Sequence, residues 1–196
     1  MTRTSPLAWT AIGLAAAAQL VIAVLAFSPQ VDPFRDPVSD YVFHRGGRAA
    51  FVFAVLLVLA AGAALAAAAY AANLPLDTRV NVLFGLWVAG LLIVLLFEGN
   101  ASVTESTVHG EIHRFGGALL FASLPFACHA LARLHDKANW ARRLRFSALA
   151  GLVTAGAFGV AQIVPALPQG LLERLALTAD LGIMVTAALA VRSAAR

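Results

Sequence analysis

The amino-acid sequence predicts an all-α polytopic membrane protein, a bundle of six transmembrane helices that forms a single domain over residues 1–196. Apolar residues make up 61% of the chain, charged residues only 12%, and the mean hydropathy is +0.84, which excludes an ordinary soluble domain. A helix needs about 20 apolar residues to cross a hydrocarbon core of about 30 Å. Six runs approach that length: residues 7–27, 49–72, 80–97, 115–132, 146–164 and 175–191.

Polar residues precede the first run and interrupt the last. The first follows a short polar start (residues 1–3), as a signal peptide would, but it is longer than a signal-peptide core and residues 27–29 are a poor cleavage site. We therefore expect it to remain as a helix. The last run contains Asp180, and we expect its helix to begin earlier, around Leu171.

Arginine and lysine predict the orientation, because the cytoplasmic loops of membrane proteins carry an excess of them. With the N-terminus inside, nine are cytoplasmic: Arg3, Arg79, Arg133, Lys137, Arg142, Arg143, Arg145, Arg192 and Arg196. Five are outside: Arg35, Arg45, Arg48, Arg114 and Arg174. We expect both termini to be cytoplasmic and the chain to cross the cell (inner or plasma) membrane. Basic inner loops also explain the net charge of +4, so the expected partners are membrane lipids and not nucleic acid.

The first outer loop, residues 28–48, predicts a short helix. The Asp-Pro pair at residues 36–37 is a typical helix start, and the Gly-Gly pair at residues 46–47 is a typical end. Asp40 and His44 are four residues apart in this segment, a spacing at which a carboxylate can orient an imidazole.

The second outer loop, residues 98–114, predicts the start of the fourth helix. It is rich in serine and threonine, and Thr104, Ser106 or Thr107 can cap a helix that carries His109 and His113 and continues as the fourth span.

A metal site is the first interpretation of these polar residues. His109 and His113 lie on one face of a helix, and His44 would add a third ligand from the first outer loop. Neutral imidazoles suit zinc, and three protein ligands with an open water position are typical of catalytic zinc. We predict zinc as the cofactor of a hydrolase acting on lipid or lipid-linked substrates at the outer leaflet. Four side chains would move protons or stabilise an oxyanion: Ser39, Asp40, Glu105 and Glu111.

The alternative to a metal site is two interfacial histidines that hydrogen-bond to neighbouring loops. Haem ligation is less compatible with the sequence, because His129 follows His113 by about 24 Å of helix and only His135 remains for the inner side. The signatures of soluble nucleotide-binding, serine-hydrolase and thiol-redox enzymes are absent from the sequence.

A second interpretation needs no metal. A carboxyl buried in apolar surroundings has a raised pKa and can donate a proton. Five carboxyls lie near or within the apolar slab: Asp40, Glu98, Glu105, Glu111 and Asp180. Asp180 is the most informative, because it lies inside the sixth span; its alternative role is a structural hydrogen bond to another helix. This pattern predicts a non-catalytic or proton-coupled lipid- or ion-handling protein, or a metal-free acid-initiated isomerase or cyclase of isoprenoid-type lipids.

Three segments resemble the DUF998 family of bacterial and archaeal integral membrane proteins. They are Asp-Pro-Val-Ser-Asp-Tyr at residues 36–41, Phe-Glu-Gly at residues 97–99 and Thr-Val-His-Gly-Glu-Ile-His at residues 107–113. The late Asp-Leu-Gly at residues 180–182 and the six-span layout are also similar. The resemblance covers most of the chain and implies a membrane fold but no activity, because the function of the family is unknown.

A weaker likeness extends to the membrane hydrolases that include alkaline ceramidases and the adiponectin-receptor type. Those seven-helix proteins use a serine, an aspartate and three zinc-binding histidines. The same residue types are present here: Ser39, Asp40, His44, His109 and His113. The likeness implies lipid hydrolysis at zinc, although the helix count and the residue spacing differ.

Overall fold

The computed structural model describes residues 4–44, 46–100 and 106–194. Within these ranges all regular secondary structure is helical, and there is no strand. The α-helices are α1 (Thr4–Leu25), α2 (Gly47–Ala71), α3 (Thr78–Leu96), α4 (Val108–Leu134), α5 (Ala138–Ala161) and α6 (Gln169–Ala194), with a 3-10 helix at Val38–Phe43. All six α-helices are long and apolar enough to cross a membrane, which confirms the predicted six-span fold class.

Helices α4 and α6 form the interior of the bundle. Half of the apolar window of each is buried, against 22–33% for the other four helices. Helix α6 contacts α1, α2, α4 and α5, while α3 packs along α4 and α1 packs along α2. Large apolar side chains on the peripheral helices of the bundle, such as Leu96 and Phe146, are more than 70% exposed, as lipid-facing positions require.

Small residues allow the helix backbones to approach closely. An added Cβ on Gly90 of α3 would lie 2.7 Å from the Leu120 backbone nitrogen and 2.8 Å from the Gly116 carbonyl oxygen of α4. Gly62 of α2 similarly leaves room for the ring of Trp87, which is fully buried. Close backbone contact supplies the van der Waals packing that holds helices together where lipid and protein are equally apolar.

The helix ends follow local sequence rules. Asp77 caps α3 by accepting from the Val80 backbone nitrogen at 2.9 Å. Thr107, one of the three predicted candidates, caps α4 by accepting from the Gly110 nitrogen at 3.0 Å. Asn73 adopts a left-handed conformation (φ 50°) that closes the end of α2, which asparagine tolerates. The turn into α2 requires glycine at Gly46, whose φ is +81°.

We expect replacement of Gly90 by alanine to lower the midpoint of thermal unfolding in detergent, because the added methyl group forces α3 and α4 apart. Overpacking of this kind costs about 1–3 kcal/mol. Gly85→Ala is the matched control on the same helix, since nothing lies within 4 Å of its added Cβ and alanine favours a helix over glycine by about 1 kcal/mol. Equal midpoints for the two variants would contradict the close packing of α3 on α4.

Candidate functional site

The segment with the most polar contacts lies where the first outer loop meets the start of α6. We call this end of the bundle the outer end, following the predicted orientation. We call the contact between residues 32–41 and the residues Gly170, Glu173 and Arg174 of α6 the outer cap.

Backbone carbonyls of the loop cap the start of α6. The Gly170 nitrogen donates to the Arg35 carbonyl at 3.2 Å, and the Leu171 nitrogen donates to the Phe34 carbonyl at 3.1 Å. The first N–H groups of any helix lack partners within the helix, so these bonds satisfy donors that would otherwise be left unpaired. An added Cβ on Gly170 would overlap the Asp36 carbonyl, so this approach requires glycine.

Glu173 of α6 caps the 3-10 helix in return. Its carboxylate accepts a hydrogen bond from the Val38 backbone nitrogen, and the Ser39 N–H lies beside it. The predicted cap by Asp36 is wrong in its detail: Pro37 occupies the N-cap position, and the Asp36 carboxylate instead accepts from the Asp32 nitrogen at 2.7 Å. The long-range glutamate replaces the local aspartate because Glu173, only 8% exposed, needs donors of its own.

Arg174 ties the loop to α6 through its guanidinium group. Its Nη1 donates to the carbonyls of Pro33, Asp36 and Gly170 at 2.8–2.9 Å, and its Nη2 donates to the Tyr41 hydroxyl at 2.6 Å. The Tyr41 side chain is 1% exposed, and its ring also faces the guanidinium at 5.5 Å. The planar guanidinium has five N–H donors on separate nitrogens, so it can bond the loop carbonyls through Nη1 and the Tyr41 hydroxyl through Nη2.

Asp40 lies at the rim of the outer cap and is half-buried. The Ser39 hydroxyl donates to its carboxylate at 3.4 Å. The pKa of the Asp40 carboxyl is raised from its ordinary 3.8 to about 6, chiefly by burial. The Ser39 hydrogen bond lowers this pKa, the charge of Asp36 raises it, and the charge of His44 lowers it. The two residues Asp40 and His44 do not share a helical turn as the spacing predicted, because the 3-10 helix ends at Phe43 and His44 is extended, although their charges interact.

Asp180 lies near the middle of α6, seven residues after Glu173 and therefore on the same face of the helix. The rise between the two is about 10 Å at 1.5 Å per residue. Its side chain is 5% exposed, and neither carboxyl oxygen has a hydrogen-bond partner in the described part of the chain. The alternative of a structural hydrogen bond is therefore not met within these residues.

The two histidines of α4 pack against the end of α3. His113 Nδ1 lies 2.7 Å from the Phe97 carbonyl oxygen, a hydrogen bond that requires the proton on Nδ1 and leaves Nε2 as the free nitrogen. His109 is exposed and meets the Phe97 ring edge to face, with 5.7 Å between centroids. The contact with the neighbouring loop is the one expected of interfacial histidines.

The remaining predicted site residues are spread around the outer rim. Glu111 is exposed and contacts Ser106 at 3.0 Å and Arg114 at 3.1 Å. Glu98 pairs with Arg48 at 2.8 Å between exposed side chains. Glu105 and Thr104 lie outside the described residues.

No group of three His, Cys, Asp or Glu side chains among the described residues could hold a metal ion. The zinc site of His44, His109 and His113 stays a prediction, as do the catalytic roles of Ser39 and Glu105.

The sequence places Arg174 among the outer charges but predicts no role for it or for Glu173. A signal for them is present: both follow the turn at residues 165–168 and lie inside the helix that becomes the sixth span. Charged residues within a span are costly to bury and need partners, so a pair at this position indicates a polar contact with another element.

Comparison with known families gives one match. The family model described as "Protein of unknown function (DUF998)" matches residues 10–190, which is most of the chain. No curated protein and no solved structure matches it.

We expect Tyr41→Phe to destabilise the protein by about 1–3 kcal/mol, the cost of leaving a half-buried Arg174 donor without the Tyr41 hydroxyl. The measurement is thermal or denaturant unfolding in detergent. Tyr70→Phe is the matched control, because the Tyr70 side chain is 64% exposed on α2 and its change should have almost no effect. Equal effects of the two changes would contradict the role given to the outer cap.

We expect Asp40 to make stability depend on pH. Its pKa in the folded protein, about 6, exceeds its ordinary 3.8, so the folded state binds the proton more tightly. The free energy by which protonation of Asp40 stabilises the folded state is then fully present below about pH 4 and is lost as the pH rises through about 6. Asp40→Asn should therefore gain in unfolding midpoint relative to wild type between about pH 4 and about pH 7. A difference that is constant with pH would contradict the burial of this carboxyl. Asp136→Asn, which changes an exposed carboxyl of an inner loop, is the matched control.

Proposed function

This chain belongs to the DUF998 family of membrane proteins, and on that premise we propose that it is a proton-coupled lipid- or ion-handling protein of the cell membrane. In this proposal Asp180 takes up and releases the coupling proton. Glu173 and Asp40 connect it with the outer end.

The single observation that carries the proposal is the burial of the Asp180 carboxyl without a partner in the middle of a membrane-spanning helix. A charged carboxylate costs several kcal/mol to bury unless a counter-charge accompanies it. Since no described side chain bonds to it, a proton or a small cation must supply the compensation. Intramembrane carboxyls of this kind are typical of proton relays and ion pathways.

The position of the other carboxyls supports the outer end as the source of the proton. Asp40, half-buried, titrates near the pH of the surroundings with its pKa of about 6, and it lies close enough to Glu173 to interact electrostatically. Glu173 and Asp180 follow on one face of α6. The three carboxyls thus descend from the rim of the outer cap to the middle of the bundle.

The two enzyme hypotheses use other groups or the same groups differently. A zinc hydrolase would depend on His44, His109 and His113, and the free Nε2 of His113 is the nitrogen that such a site would use. An acid-initiated isomerase or cyclase would use the carboxyls to protonate a lipid alkene. The coupling proposal is preferred because the buried group without a partner among the described residues is Asp180, which lies on a different helix from the histidine pair at the start of α4.

We expect Asp180→Asn to abolish one pH-dependent band of a protonated carboxyl in the infrared difference spectrum of the reconstituted protein. The asparagine has nearly the same volume but cannot exchange a proton, so thermal unfolding should report a folded variant. Asp136→Asn, which changes an exposed carboxyl of an inner loop, is the matched control and should retain the band.

Retention of the band in Asp180→Asn, or a wild-type protein without such a band, would refute the role of Asp180. Metal analysis of the same samples separates the hydrolase hypothesis. Zinc at about one ion per chain, lost in a His109→Ala/His113→Ala variant, would favour the hydrolase over the carrier.

A further inference from the structure

A cleft of about 280 Å³ lies between the start of α3 and the end of α4, at the inner end of the bundle. It is lined by residues of both helices, among them Arg79 and Leu83 from α3 and Phe126, His129 and Arg133 from α4. None of these residues takes part in the outer cap. The cleft is therefore a separate feature from the proposed proton site.

The charge of the cleft is basic. Arg79 and Arg133 are exposed and provide two guanidinium groups. Arg133 Nη2 donates to His129 Nε2 at 3.3 Å, and among the described residues its other donors have no partner. The acidic member of the lining, Asp77, already accepts from the Val80 backbone nitrogen as the cap of α3. Two arginines at one opening are suited to a phosphate oxyanion.

The cleft becomes apolar with depth into the membrane. Leu83 is four residues beyond Arg79 on α3, about 6 Å along the axis, and Phe126 is seven residues before Arg133 on α4, about 10 Å along the axis. The Phe126 side chain is 49% exposed and faces outward from the bundle. A free phosphate would make no favourable contact with this apolar part, whereas the acyl chain of a phospholipid would lie along it.

We infer that this cleft binds an anionic phospholipid of the inner leaflet. The lipid phosphate contacts Arg79 and Arg133 at the membrane surface, and the upper part of an acyl chain packs against Leu83 and Phe126. With depth along the cleft, charge decreases and apolar character increases. A phospholipid changes in the same order from its headgroup to its acyl chains.

The test is native mass spectrometry of the intact, detergent-purified protein titrated with phosphatidylglycerol or phosphatidylcholine. We expect phosphatidylglycerol to bind wild type more tightly than phosphatidylcholine, and an Arg79→Gln/Arg133→Gln variant to bind it about tenfold or more weakly. The matched control is Arg142→Gln/Arg145→Gln, which removes the same charge from exposed positions on α5 of the inner side and should bind as wild type does. Thermal unfolding of each variant verifies that the bundle is intact.

Three results would overturn the inference. The first is an equal loss in the α5 control, which would indicate attraction by net charge alone. The second is equal binding of the two lipids by wild type. The third is displacement of the lipid by inorganic phosphate at equimolar concentration, which would assign the cleft to free phosphate. A Leu83→Ala variant that weakens lipid binding without changing phosphate binding would support the lipid assignment.

Discussion

The reciprocal capping between the first outer loop and α6 is the interaction on which the rest of the outer end depends. Carbonyls of Phe34 and Arg35 satisfy the first N–H groups of α6, and Glu173 of α6 satisfies an N–H of the 3-10 helix. Arg174 then joins both elements to Tyr41. Each partner supplies what the other lacks, because unpaired backbone groups at a membrane boundary are costly. The loop and the helix are consequently positioned together.

This arrangement also explains how α6 carries two carboxyls inside an apolar bundle. Glu173 is stabilised by backbone donors from another element, whereas Asp180, two turns deeper, has no partner among the described side chains. The contrast separates a buried carboxyl that has hydrogen-bond donors from one that has none among the described residues, on the same helix face. A buried group whose hydrogen bonds are complete rigidifies its surroundings, and one whose bonds are incomplete is available to bind a proton or an ion.

The two ends of the bundle differ in chemistry. The outer end combines carboxyls with the histidines His109 and His113, which contact the end of α3 through Phe97. The inner end has arginines around a cleft whose deeper lining is apolar, the composition expected beside anionic headgroups. The inner and outer labels rest on the orientation that the arginine and lysine distribution predicts. The membrane-spanning scaffold between the ends is held by small residues and contributes little polarity of its own.

The sequence by itself determined the class of fold, because the length of an apolar run and the cost of unpaired backbone in lipid leave few alternatives to a helical span. Local rules also sufficed for the Thr107 cap of α4 and for the helix that carries both histidines. Only the tertiary structure decided the partners of Val38 and Tyr41, since Glu173 and Arg174 are more than 130 residues away in sequence. Local spacing therefore favoured Asp36 as the cap of the 3-10 helix and His44 as a helical partner of Asp40. For the cap, the need of the buried Glu173 for hydrogen-bond donors was the stronger constraint.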